Sequence, residues 1–152
     1  MQEINIYKTT EESFRKIFSK LIESIVAQNI RCYLYCNDSE EEKSLDYLLW
    51  SYSQLSFIPH GTALDPYSEE QMVLLGIEPK LAPQNKATIF LAILTQDLLK
   101  GDFLEFLIQQ YDKVLFFDKN NFLNIQGFKN LRTQIHIIQQ DSTGKWIKQN
   151  IT

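Results

Sequence analysis

Nucleophilic or acid–base chemistry needs a base held beside a nucleophile, and this chain offers few candidates. Its two histidines are His60, in a Pro59-His60-Gly61 turn, and His136, in an apolar stretch. His60 is a candidate base, but no serine or cysteine is paired with it in sequence. His136 reads as structural. Cys32 and Cys36 fall in what reads as a buried strand. With no second Cys/His pair they form no zinc site and are read as small core residues. Carboxylates are plentiful, yet Glu12, Asp38, Glu41, Asp102 and Glu105 fall at helix starts, where capping and the helix dipole explain them.

Phosphate chemistry fares no better. The first strand-to-helix turn is Tyr7-Lys8-Thr9-Thr10-Glu11 and the second is Cys36-Asn37-Asp38-Ser39-Glu40. Neither contains the glycine that lets backbone approach a pyrophosphate, and the second would meet phosphate with carboxylates. Gly144-Lys145 lacks the upstream glycine of a P-loop, and no G-x-S-x-G elbow occurs. No catalytic, cofactor-binding or metal-binding residue is therefore expected.

The elements that would position any site follow from periodicity. Glu3 to Lys8 alternates as a strand. Thr9 and Glu12 suggest a capping box for an amphipathic helix from Thr10 to Gln28, with Phe14, Phe18, Ile22 and Ile25 at helical spacing. Ile30 to Cys36 reads as a buried strand, and Asp38 with Glu41 opens a helix to about Tyr52. A short extended piece at Ser56 to Ile58 precedes a loop from Gly61 to Gln71. Met72 to Ile77 is a strand, and Ala87 to Leu94 is an apolar run suited to a central one. Asp102 and Glu105 open a third helix to about Tyr111. Lys113 to Asp118 is a strand, Asn121 to Gln134 a helix, Ile135 to Gln140 a strand, and Gly144 to Lys148 a last short strand.

Strands alternating with helices predict a single three-layer α/β/α domain over residues 1–152, with a mainly parallel sheet. The chain has 152 residues and a net charge of −4. That charge argues against gripping DNA directly, since phosphate neutralisation supplies most of such affinity. No run approaches the ~20 apolar residues that span a bilayer, and no leader is evident, so a cytoplasmic protein is expected.

One surface does not fit this economy. On the helix from Asp38 to Tyr52, Leu45, Leu48, Leu49 and Tyr52 share a face suited to the sheet, which leaves Tyr47 and Trp50 pointing away. Either the following segment, Leu55 to Ile58, folds back over Trp50, or the ring belongs to a partner surface, where Trp and Tyr are typical anchors. Trp50 and Phe57 would then form one aromatic platform.

These residues also carry a family resemblance. The stretch from Tyr33 to Gly61, with Leu49-Trp50 followed by Phe57-Ile58-Pro59-His60, resembles the chi subunit of bacterial DNA polymerase III. Similar features continue through Met72-Val73-Leu74-Leu75, Asn85 to Leu94, Val114 to Asp118 and Gly144-Lys145-Trp146. The resemblance implies a Rossmann-like domain without a nucleotide site, acting as a non-catalytic adaptor in DNA replication. It implies two partners. A psi-like clamp-loader subunit would dock at the positions matching the family's signature, Trp50 and Phe57, with Tyr47 beside them. The C-terminal tail of single-stranded DNA-binding protein would use Phe128, Lys129 and Arg132, with Ile125 standing where the family has a basic residue. The chain would be monomeric within that hetero-complex. A small α/β enzyme or nucleotide-binding protein is the alternative reading, and a direct single-strand binder a third, disfavoured by Glu42 and Asp46 beside Trp50. The glycine-free turns lead to a direct expectation: calorimetric titration with ATP or NAD at micromolar concentrations gives no saturable heat.

Overall fold

The computed structural model describes residues 2–52, 58–79, 83–123, 125–128 and 131–151. Its sheet is built from β1 (Glu3–Lys8), β2 (Cys32–Tyr35), β3 (His60–Thr62), β4 (Val73–Gly76), β5 (Ile89–Ile93), β6 (Lys113–Asp118), β7 (Gln134–Gln140) and β8 (Trp146–Asn150). The spatial order is β3-β4-β2-β5-β6-β1-β7-β8. All neighbours run parallel except the terminal pair, β7 and β8. Helices α1 (Glu11–Ala27) and α2 (Ser39–Ser51) cover one face, and α3 (Gly101–Gln110) covers the other.

Side-chain alternation produces these layers. In β2, Cys32 and Leu34 pack under α1 and α2, while Tyr33 points the other way. In β5, Ile89, Leu91 and Ile93 take the first face, and Phe90 and Ala92 the second. In β6, Leu115 and Phe117 oppose Val114 and Phe116 in the same manner. Both faces of the central strands are thus buried, which is why these strands read as continuous apolar runs.

Helix ends follow local chemistry, with two differences from expectation. Thr10, not Thr9, caps α1: its hydroxyl accepts from the Ser13 N–H at 3.0 Å, and the Ser13 hydroxyl accepts from the Thr10 N–H at 2.9 Å. Thr9 still belongs to the sheet edge, donating its N–H to the Asp118 carbonyl at 3.2 Å, so the helix begins one residue later. At the far end Asn29 adopts φ 60, and the Asn29 and Ile30 N–H groups return to Val26 and Ile25, closing a Schellman motif. Asp38 caps α2 as expected, accepting from the Glu41 N–H at 2.8 Å. Asp102 does not cap α3. It lies inside the first turn, where its charge complements the helix dipole.

Two segments depart further. The expected loop after Gly61 begins with β3, whose three residues pair with β4, His60 opposite Val73. His-Gly-Thr carries no alternation that periodicity could detect. Among the described residues of the stretch 121–134, where a helix is expected, no α-helix forms. Asn121 takes φ 57, the Asp118 carboxylate accepts from the Phe122 and Leu123 N–H groups, and a 3₁₀ turn forms at Ile125–Phe128. Three asparagines and Gly127 make this stretch a poor helix former. Gly127 is also tightly placed, since an added Cβ would stand 3.1 Å from the Leu99 carbonyl oxygen.

Gly76 ends β4 beneath the Tyr33 ring, whose hydroxyl donates to the Glu78 carbonyl. A Cβ there would overlap that hydroxyl, and Tyr33 is fully buried with no room to withdraw. Gly76→Ala is expected to cost about 1–3 kcal/mol, the usual penalty of overpacking. Denaturant melts of Gly76→Ala, Tyr33→Phe and the double variant check this, with the double variant less damaged than the sum.

Candidate partner-binding surface

Helix α2 is anchored at its start by two devices. Asp38 caps it, and Glu41 reaches back to accept from the Asn37 backbone N–H at 3.0 Å and side-chain amide at 3.1 Å. From there Leu45, Leu48 and Leu49 turn inward and are buried. Each fully buried leucine contributes about 1.5–3 kcal/mol, so this face fixes the helix on the sheet. The opposite face carries Tyr47, 68% exposed, and Trp50, 56% exposed. The described part of the chain thus leaves both rings largely in solvent, as the helical spacing predicts. Phe57 and the rest of residues 53–57 lie outside the described residues.

His60 supplies the floor under Trp50. It is buried in β3, and its ring centroid lies 4.7 Å from that of Trp50 at an interplanar angle of 60°. Nδ1 stands 2.7 Å from the Ile58 carbonyl oxygen. A carbonyl only accepts, so Nδ1 carries the proton in this contact. Nε2 stands 3.1 Å from Oδ1 of Asp46, an approach that does not have the geometry of a hydrogen bond. Asp46 and Trp50 are one helical turn apart and grip the same imidazole. With one nitrogen committed to backbone and the ring enclosed, His60 acts as a wedge between α2 and the sheet edge and is not placed as a solvent-facing base. Sequence reasoning named His60 but missed this assembly. The four-residue step from Asp46 to Trp50 was its only available signal.

The second expected site is not assembled as one surface. Phe128 is buried in the core on the α3 side, because the 3₁₀ turn directs it inward. Its ring is committed to packing. Arg132 is exposed, in an irregular stretch before β7. Lys129 lies outside the described residues.

Other reactive types are accounted for by packing. Complete burial pushes the Cys32 thiol up to about 12. Cys36 is raised as well, first by burial and then by the nearby Glu41, Glu42, Asp38 and Asp46. Neither is a thiolate near neutral pH. His136 Nδ1 meets Asn5 Oδ1 at 3.0 Å between neighbouring strands, a structural contact. Among the described residues no group of three or more His, Cys, Asp or Glu side chains could hold a metal. None of the described helices is long and apolar enough to cross a membrane.

The crevice where doubly wound folds hold nucleotides lies at the carboxyl ends of strands whose following segments take opposite faces. Here β1 leads to α1 on one face, and its neighbour β6 leads to Phe128 on the other. The crevice holds the buried Asp118 carboxylate, with Lys119 paired to Glu11 at 3.5 Å and resting over the Phe14 ring at 4.9 Å. A phosphate would face Asp118 and Glu11, with Lys119 already engaged by Glu11 and the Phe14 ring.

Comparison with known proteins agrees with this frame. Residues 1–142 match the family described as DNA polymerase III chi subunit, HolC. A curated relative from Rickettsia prowazekii (strain Madrid E), "Probable DNA polymerase III subunit chi", is 27% identical over 154 residues, covering 97% of this chain and 92% of its own length. A match spanning the sheet from β1 through β7, and the Trp50–His60 surface within it, settles the question of kinship: the chain belongs to the DNA polymerase III chi subunit family.

Proposed function

We propose that this chain is a non-catalytic accessory subunit of DNA polymerase III that links the clamp loader, through a psi-like partner, to the C-terminal tail of single-stranded DNA-binding protein. The observation that carries the reading is Trp50. Its ring packs against His60 and is 56% exposed, so a large aromatic area is presented from a held position. Half-exposed tryptophan beside an exposed tyrosine is the composition of an interface centre. The contact to the single-stranded DNA-binding protein tail belongs to the same proposal. There Arg132 offers an exposed planar cation for a carboxylate, while the apolar slot for the tail must come from side chains other than Phe128.

The test is affinity capture from extract of the source organism, followed by mass spectrometry. Wild-type protein is expected to retain clamp-loader subunits. Trp50→Ala should reduce their recovery about thirtyfold or more, the scale of a ~2 kcal/mol hot spot, with little loss of thermal stability. Leu48→Ala, on the inner face, should instead lower stability by about 2–5 kcal/mol. Unfolding of Trp50→Ala to the same degree as Leu48→Ala would show that Trp50 serves the core and sink the reading. His60→Ala should weaken partner capture and destabilise the fold together, because it removes the floor of Trp50 and leaves the Ile58 carbonyl without its donor.

A further inference from the structure

The negative charge of the chain is unevenly spread. Residues 38–70 carry eight Asp and Glu side chains against a single cation, Lys43, while the rest of the chain carries 11 against 14 Lys and Arg. The excess of negative charge therefore sits on α2 and on the segment that leads from it through β3 to the 3₁₀ turn at Ser68–Glu70. Within it, Glu42 and Asp46 stand one turn apart on α2, and Trp50 follows one turn later. The three form a stripe along the helix, two carboxylates and then the ring that packs on His60.

This stripe has no counter-charge of its own. None of the eight carboxylates pairs with a Lys or Arg among the described residues, and Lys43 joins no ion pair there although Asp46 is three residues away. Partial burial first, then the charges of Asp46 and Asp65, hold the Glu42 carboxyl above the usual carboxylate range. Asp65 lies in the loop after β3, where its Oδ2 accepts from the Thr62 N–H at 2.8 Å. Carboxylates from two elements thus converge without a cation between them. Beside them, the buried Nε2 of His60 has no hydrogen-bond partner and stands 3.1 Å from Oδ1 of Asp46. With its proton on Nδ1, the ring turns an acceptor toward an anion, and positive charge arriving at Asp46 offsets that repulsion.

We propose that the partner segment docking on this face carries an arginine, whose guanidinium pairs with Asp46 and Glu42 and lies against the exposed part of the Trp50 ring. The proposal rests on the reading of Trp50 as a partner's docking point and adds that partner's chemistry. The sign of the surface excludes nucleic acid. No group of His, Cys, Asp and Glu side chains among the described residues could hold a metal ion, so the missing charge is that of a protein side chain. Arginine suits it better than lysine, because one planar group both bridges carboxylate oxygens and stacks on an indole. The two demands stand one turn apart, within about 5–6 Å between Cβ atoms, which a single guanidinium spans. A purely apolar segment would cover Asp46 and Glu42 without pairing them, which is costly, and an acidic one would meet like charge.

The probe is a fluorescein-labelled peptide, Ala-Arg-Leu-Phe-Arg-Ala, titrated against the full chain by anisotropy beside its acidic counterpart, Ala-Glu-Leu-Phe-Glu-Ala. Saturable binding of the arginine peptide is expected at low salt, weakening as salt screens the carboxylates, with none of the acidic one. Glu42→Gln with Asp46→Asn should reduce affinity about fivefold or more, and Trp50→Ala should do the same. Glu69→Lys with Glu70→Lys, elsewhere on the acidic segment, should leave it within about twofold. Should Asp46→Asn disturb Trp50 through His60, Glu42→Lys decides, since it lies a turn further along the helix. Equal binding of the two peptides, no binding at low salt, or equal loss with the Glu69 and Glu70 reversals would each overturn the proposal. The same variants are then carried into the capture from extract. Clamp-loader recovery that falls with Trp50→Ala but not with Glu42→Lys sinks the arginine and leaves the accessory-subunit reading standing. An arginine peptide held through Asp46 by a chain that retains no clamp-loader subunit sinks that reading alone.

Discussion

Everything in this fold depends on burying both faces of the β2-β5-β6-β1 stretch of parallel sheet. Parallel strands need crossovers, and the crossovers must bring apolar stripes to whichever face lies open. Cys32, Leu34, Leu91, Leu115 and Phe117 demand cover on one side, and Tyr33, Phe90, Val114 and Phe116 on the other. Helices α1 and α2 meet the first demand. The second is met by α3 together with the turn that carries Phe128. That second demand also explains why Phe128 is not available to a partner. With a single described helix on that side, the irregular segment after β6 must itself contribute apolar side chains.

The same constraint produces the surface around Trp50. Helix α2 has three leucines for the sheet and no more, so the residues between them face outward. Tyr47 and Trp50 would be a liability for solubility if their only role were to fill the turn. The structure instead spends a buried histidine and a half-exposed aspartate on holding one of those rings in place.

Much of the scaffold was legible in the sequence because long apolar periodicities admit few readings. The bounds of β1 and β6, the extent of α1 and the cap of α2 all match strong local patterns. The misses have a common cause: residues whose role is set by distant partners. β3 is three residues with no apolar alternation, and only its pairing with β4 makes it a strand. Thr9 looked like a cap until its N–H was claimed by Asp118, far along the chain. Phe128 looked like surface because a helix was assumed around it, whereas Asp118 draws the preceding N–H groups out of helical register. Trp50 was readable since helical geometry alone sets its direction. Its imidazole floor was not, because that required β3.

Asp118 shows how the crevice at the carboxyl ends of β6 and β1 is filled from within. In a dinucleotide-binding fold, helix N-terminal amides at the sheet edge wait for phosphate. Here Asp118 is buried at the end of β6 and satisfied internally by the Phe122 and Leu123 N–H groups. Thr10 and Ser13 satisfy each other at the start of α1, and Lys119 spans to Glu11 over Phe14. Donors that would otherwise bind an anion are thus consumed by side chains of the protein.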